Sequence, residues 1–288
     1  MVDKVLQKPV TECVLEGNVC VRQDGINQLR KYVKSIPELA KLANAQPTEL
    51  IKGVMRQLEV LTESAMWESK ELRDALGGKV CDHILDYYYK QKGPANSTSL
   101  LSNLDIDGVL AKWQVMGQQL FKKNFHHIPY QMIDFNTQRT ELYHLDISSL
   151  MKNTDIWAVV MNTDPSSKGG EHWFCLLGDL QHTGTEKDPI VLEYFNSSGN
   201  PYHCYPSLQA WINTVQHSLL RDDKIHMIVK TSVPVEIQKS HTECGVWCLS
   251  YIYSRLCGKP YDWFYKSGRT DEEMYEYRKH LFRDSKLD

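Results

Sequence analysis

Residues 238–248 read QKSHTECGVWC and place a glutamine, a histidine and two cysteines within one short stretch. A polar loop there meets CGVWCLSYIYSRLCGKP, whose apolar residues have helical spacing. The free N–H groups and the dipole at a helix N-terminus favour a thiolate over a thiol. We therefore expect Cys244 to have a lowered pKa and to act as a nucleophile. Cys248, with apolar neighbours in the helix interior, is interpreted as a core residue.

A cysteine nucleophile requires a base, and His172 is the candidate. It opens the predicted strand HWFCLLGDL (172–180), directly after the glycine-containing loop PSSKGGE. A side chain at a strand edge is held by the sheet and stays accessible for proton transfer. Trp173, the next residue, is a candidate wall that shields one side of the site from water.

A histidine base also needs a partner that fixes its tautomer, and Asn196 is the candidate. It lies near the end of the next predicted strand, IVLEYFNSS (190–198). If the two strands are antiparallel neighbours, the start of one lies beside the end of the other, and His172 meets Asn196. Gln238 is the candidate oxyanion donor, together with the backbone N–H of Cys244. A well-placed donor of this kind contributes about 3 kcal/mol.

Two other chemistries are considered for the same stretch. His241, Cys244 and Cys248 could be metal ligands, although zinc requires four ligands or three and a water, and no second close-spaced pair occurs in the sequence. Cys244 and Cys248 could be a redox pair, although C-x-x-C is the usual spacing. We expect neither a metal nor another cofactor.

The elements that position these residues follow a turn-rich stretch, GPANSTS, near residue 93. Before it, PTELIKGVMRQLEVLTESAMWESKELRDALGG runs with helical spacing to a Gly-Gly stop, and KVCDHILDYYYKQKG is a second helical segment. We predict a helical arm domain over residues 1–92 and a core domain over residues 93–288.

The core domain combines strands with helices. Helices are predicted in IDGVLAKWQVMGQQLFKK, in YPSLQAWINTVQHSLLR and in the segment that begins at Cys244. Strands are predicted at 156–163, 172–180, 190–198 and 225–233. Strands interspersed with helices indicate an α+β fold.

Bulk composition excludes several classes of protein. The 288 residues are 42% hydrophobic and 24% charged, and the net charge of −3 does not favour a nucleic-acid partner. No apolar run approaches the roughly 20 residues of a membrane helix, and the N-terminal stretch does not resemble a secretory leader. The eight scattered cysteines are typical of reduced thiols in a cytosol-like compartment.

The order His172, Asn196, Gln238, Cys244 resembles the clan of SUMO-specific and adenoviral cysteine proteases. The matching motifs are HWFCLLGDL, LEYFNSSGNP and QKSHTECGVW. The stretches GPANSTSLLSNLDIDGVLAKW and RTDEEMYEYRKHLFR further resemble the polyprotein-processing cysteine proteases of asfarviruses, over roughly residues 93–288.

This resemblance implies a protease core with a central mixed sheet flanked by helices, preceded by a helical arm. It implies a thiol endopeptidase that cleaves viral structural polyproteins after Gly-Gly during virion core maturation, in the host cytoplasm (viral factory) and the virion core. A tunnel for glycine residues would need narrow walls, for which Trp173 and Trp247 are candidates. SUMO or another ubiquitin-like modifier is an alternative substrate, and an inactive scaffold of the same fold is a further alternative.

Overall fold

The computed structural model is an α+β protein with a central mixed sheet and flanking helices, so the predicted fold class is confirmed. The chain is described at residue 21, residues 23–231 and residues 235–284. Within these ranges no helix is both long and apolar enough to cross a membrane. The first 20 residues of the predicted arm and the end of the strand predicted at 225–233 lie outside the described residues.

The described chain divides into two compact units. The core unit comprises residues 96–279, and the arm unit comprises residues 21–95 together with 280–284. The last described residues join the arm unit, although the sequence assigned them to the core. The reason is that β7 (Phe282–Asp284) pairs in parallel with β1 (Gln91–Gly93).

Helices make up most of the arm unit. They are α1 (Gln23–Lys34), a 3-10 helix (Pro37–Asn44), α2 (Pro47–Gln57), α3 (Glu63–Glu68), α4 (Lys70–Leu76) and α5 (Gly78–Tyr88). The segment that the sequence predicted as one continuous helix is divided into α2, α3 and α4. Thr62 and Ser69 start new helices because their hydroxyls accept backbone N–H groups of the following turn, at 3.1 and 3.3 Å.

A five-stranded mixed sheet forms the centre of the core unit. Its strands in spatial order are β2 (Phe125–Met132), β3 (Ile156–Asn162), β4 (Trp173–Asp179), β5 (Ile190–Phe195) and β6 (Met227–Thr231). The central pairs β3–β4 and β4–β5 are antiparallel, and the outer pairs are parallel. Every residue of β3, β4 and β5 is buried, which explains their continuous apolar sequences. The sequence did not predict β2, whose polar residues and Pro129 obscure the strand pattern.

Seven α-helices also lie in the described part of the core unit. They are α6 (Asn103–Phe121), α7 (Phe135–Gln138), α8 (Ile147–Leu150), α9 (Pro206–Ser218), α10 (Cys244–Leu256), α11 (Trp263–Lys266) and α12 (Asp271–Leu281). All residues of α10 are buried, and this helix packs against β4 and α6. Since α10 begins at Cys244, its first residue lies against the sheet.

Candidate active site

The thiol of Cys244 lies at the first residue of α10, and the residue is 1% exposed. The backbone N–H of Trp173 donates to its sulfur, so the thiol lies beside the start of β4. Burial raises the pKa of Cys244 to about 11, against the smaller lowering by the N–H groups of Trp173, Gly245 and Cys244 itself. The predicted lowering of the Cys244 pKa is therefore wrong, because the loss of solvent raises this pKa by more than the N–H groups at the helix N-terminus lower it.

His172 and Asn196 meet at adjacent strand ends. The pairs Cys175↔Phe195 and Leu176↔Tyr194 set β4 and β5 antiparallel, as expected. The residue before β4 therefore lies beside the residue after β5, and His172 Nε2 is 2.8 Å from Asn196 Oδ1. Since an amide oxygen can only accept, Nε2 carries the proton, and Nδ1 is left with the lone pair of a base.

The amide of Asn196 is itself held in one orientation. Its Nδ2 donates to Tyr194 Oη at 2.9 Å and to the carbonyl oxygen of Asn200 at 3.3 Å. Its Oδ1 also accepts from the backbone N–H and the hydroxyl of Ser198, at 3.0 and 2.8 Å. Tyr194 and Ser198 were not predicted from the sequence, although the turn Asn-Ser-Ser is a signal for such local bonds.

The charge state of His172 follows from its surroundings. Burial lowers its pKa, while the hydrogen bond to Asn196 and the charge of Glu171 raise it by less. The imidazole is consequently neutral near pH 7, as a proton acceptor must be.

Gln238 lies in the same cavity wall as His172, in a cavity of about 510 Å³. Its Oε1 accepts from Ser197 Oγ at 2.6 Å, and its Nε2 donates to the carbonyl oxygen of Ser240 at 2.7 Å. An amide nitrogen carries two N–H groups, so the second one is the candidate donor to an oxyanion.

Asp271 anchors the loop that carries Gln238. Its Oδ2 accepts the backbone N–H groups of Lys239 and Ser240, both at 2.7 Å, and its Oδ1 accepts Trp247 Nε1 at 2.8 Å. Trp247 is fully buried. Its indole is thus part of the core and of this anchor, and the expectation that it lines a substrate tunnel is not supported.

A buried ion pair holds Glu243, the residue before Cys244. Arg278 donates to the carboxylate of Glu243 from Nε at 3.1 Å and from Nη2 at 3.0 Å, and to the carbonyl oxygen of Thr242 at 3.3 Å. Neither Arg278 nor Asp271 was identified from sequence, because α12 lies far from the Cys244 motif along the chain.

Trp173, whose backbone N–H donates to the thiol, has a fixed side chain. Its indole Nε1 donates to the carbonyl oxygen of Leu101 at 3.0 Å, and the ring of Tyr130 meets it edge-to-face at 6.2 Å between centroids. The ring is therefore held rigidly next to Cys244, and Trp173 remains a candidate wall for the substrate.

The alternative metal-ligand set of His241, Cys244 and Cys248 does not form a cluster in the structure. Cys248 is fully buried and its thiol is hydrogen-bonded with Cys175, whereas His241 is exposed at the cavity. Among the residues that the structure describes, no group of three or more His, Cys, Asp or Glu side chains could hold a metal ion.

The sequence and the fold are both similar to those of known cysteine proteases. No family model matches the chain. A SUMO-1 cysteine protease of African swine fever virus (isolate Pig/Kenya/KEN-50/1950) is 34% identical over 210 residues, covering 69% of this chain and 73% of the relative. The corresponding cysteine protease of the Tick/Malawi isolate is also 34% identical, over 215 residues. A solved structure of the selenomethionine form of the African swine fever virus protease aligns with a TM-score of 0.67 and 25% identity, covering 96% of this chain and 97% of that one.

Proposed function

The chain belongs to the family of African swine fever virus SUMO-1 cysteine proteases, and on this premise we propose that Cys244, His172, Asn196 and Gln238 form its catalytic site. Support comes chiefly from the 2.8 Å contact between His172 Nε2 and Asn196 Oδ1, next to a thiol bound by the N–H of Trp173. In this arrangement Nδ1 of His172 is the nitrogen available to the thiol.

In the proposed first step, His172 Nδ1 takes the proton from Cys244 Sγ while the sulfur attacks the scissile carbonyl carbon. Coupled proton transfer suits a buried thiol whose pKa is about 11, because such a thiol is protonated before the substrate binds. The tetrahedral oxyanion accepts hydrogen bonds from Gln238 Nε2 and from the backbone N–H of Cys244. Asn196 keeps the imidazole oriented and the tautomer fixed.

In the second half of the proposed catalytic cycle the same groups act again, with His172 first as the acid and then as the base. The imidazolium of His172 gives its proton to the leaving amine as the C–N bond breaks, and a thioester with Cys244 remains. His172 then takes a proton from a water molecule, whose oxygen attacks the thioester carbonyl. Collapse of the second oxyanion breaks the C–S bond and returns the proton to the sulfur.

We further propose that the substrates are viral structural polyproteins cleaved after Gly-Gly during virion core maturation. The enzyme would act in the viral factory of the host cytoplasm and in the virion core. A wall made by the fixed indole of Trp173 suits residues without a Cβ atom, which can pass close to it. A ubiquitin-like modifier that ends in Gly-Gly is a second candidate substrate, which the SUMO-1 protease name of the relative favours.

The test compares an internally quenched Gly-Gly-Ala peptide with a SUMO fusion reporter. We expect cleavage of the peptide after the second glycine, located by mass spectrometry, and no cleavage by Cys244→Ala or His172→Ala. Circular dichroism and thermal unfolding establish that both variants remain folded. Undiminished activity of either variant would contradict the assignment of the site. A large preference for the folded fusion would favour the modifier instead.

A further inference from the structure

A cavity lies beside His172. Trp173 and Cys244 do not line it. Its charged and titratable lining residues are Glu171, His172, Tyr205, Glu236, Lys239 and His241, and Gln238 and Ser240 are among its polar ones. Sites of about 300–1,000 Å³ hold ligands of drug size, so a cavity of about 510 Å³ accommodates a short peptide segment.

The chemistry determines which part of a substrate this segment is. His172 gives its proton to the leaving amine, so the chain that follows the scissile bond must pass the imidazole. The acyl part, which ends in the carbonyl attacked by Cys244, is left to the side of Trp173. We propose that the cavity binds the residues after the scissile bond and favours a basic side chain at the first of them. This inference rests on the proposed function.

The preference for a basic residue follows from the charges on the cavity wall. Glu171 is exposed beside His172 and has no ion-pair partner among the described residues. Glu236 is already paired with Lys239 at 2.9 Å, so these two charges largely cancel. The uncompensated charge on the cavity wall is therefore the carboxylate of Glu171.

The test uses three quenched peptides that differ only in the residue after Gly-Gly: lysine, glutamine or glutamate. We expect the wild type to have a kcat/KM about 1.5- to fivefold higher for lysine than for glutamate, the range for an exposed charge pair. Glu171→Gln should bring this ratio to about one, and Glu171→Lys should invert it. A change at residue 171 that alters His172 affects cleavage of all three peptides alike. The ratio of kcat/KM values within one variant therefore does not depend on that change.

The matched control is Glu186→Gln, an exposed carboxylate in the turn that joins the other ends of β4 and β5. It should leave the lysine-to-glutamate ratio unchanged. In 1 M NaCl the ratio of the wild type should approach one, because charges are screened beyond about 3 Å.

The outcomes separate this inference from the function on which it rests. Equal cleavage of the three peptides, or a preference for glutamate, would overturn the subsite and leave Gly-Gly cleavage standing. A lysine preference that persists in Glu171→Lys would overturn the assignment to Glu171. Failure to cleave any of the peptides, or a control Gly-Gly-Ala peptide, would overturn both.

Discussion

The 2.8 Å contact between His172 Nε2 and Asn196 Oδ1 joins the residue before one strand to the residue after its antiparallel neighbour. Two strands of the central sheet thus hold the imidazole and its partner, and the amide is fixed in turn by Tyr194 and Asn200. This orientation matters because it leaves Nδ1 of His172 with the free lone pair that the proposed base requires.

Replacing Asn196 by alanine should reduce kcat/KM by about 10- to 100-fold, the loss that is typical when a partner that orients a metal-bound histidine ring is removed. The loss should be smaller than for His172→Ala, since the imidazole remains and only its orientation is relaxed. Steady-state kinetics with a Gly-Gly-Ala peptide measures the change. An Asn196→Ala enzyme as inactive as His172→Ala would contradict a purely orienting role.

The pH profile should reflect the lowered pKa of His172. Its ordinary value is 6.5, and burial moves it below that, so the neutral base persists into mildly acidic solution. The acid limb of kcat/KM should therefore fall below pH 6.5. Asn196→Asp should move this limb to higher pH, because a carboxylate stabilises the imidazolium. A wild-type acid limb above pH 7 would contradict this explanation.

The resting thiol should react slowly with alkylating reagents near neutral pH. With a pKa of about 11, Cys244 is almost entirely protonated, so iodoacetamide labelling should rise about tenfold per pH unit into the alkaline range. Cys204, which is exposed, provides an internal comparison and should label first at pH 7.5. Mass spectrometry of tryptic peptides measures both rates in one sample. Preferential labelling of Cys244 at pH 7.5 would indicate a thiolate in the resting enzyme.

The sequence predicted the central strands and the pairing of His172 with Asn196 because those features depend on local patterns. Buried strands are continuous apolar runs, and a short connection makes neighbouring strands antiparallel. The strand β2 was not predicted because its polar residues and Pro129 match neither the alternating nor the continuous apolar pattern of a strand. The raised pKa of Cys244 was not predicted either, since the position of a residue at a helix start does not show how much solvent the fold removes from it.

The residues that anchor the loop before Cys244 could not be predicted from the motif QKSHTECGVWC itself. Asp271 and Arg278 lie on α12, and sequence proximity gives no indication that they contact residues 239–243. For the same reason Trp247 could be taken for a substrate wall: a tryptophan on a helix has the same sequence signature whether it faces a tunnel or the core.

Removing the charge of Arg278 should destabilise the protein strongly. Arg278→Met leaves the carboxylate of Glu243 buried without its partner, and we expect a loss of about 3–5 kcal/mol in the free energy of unfolding. The double variant Arg278→Met/Glu243→Gln should lose less than Arg278→Met alone, because no unpaired charge is left. Urea unfolding followed by fluorescence measures both. Additive losses in the double variant would contradict a coupled pair.

The carboxylate of Asp271 should support catalysis through the position of Gln238. Asp271→Ala removes the acceptor of two backbone N–H groups in the loop and of Trp247 Nε1. We expect kcat to fall by about tenfold with little change in KM, because the oxyanion donor acts in the transition state. Stability should fall by about 1–3 kcal/mol from the unsatisfied indole.

The control for Asp271→Ala is Trp247→Phe, which removes the indole N–H and keeps both loop contacts of the carboxylate. If Asp271 acts by holding the loop, Trp247→Phe should lose stability but keep its kcat when assayed well below its unfolding temperature. If Asp271 only stabilises the core, the kcat of both variants should fall in proportion to their loss in the free energy of unfolding. Equal kcat values in wild type and Asp271→Ala would show that the loop keeps Gln238 in place without this carboxylate.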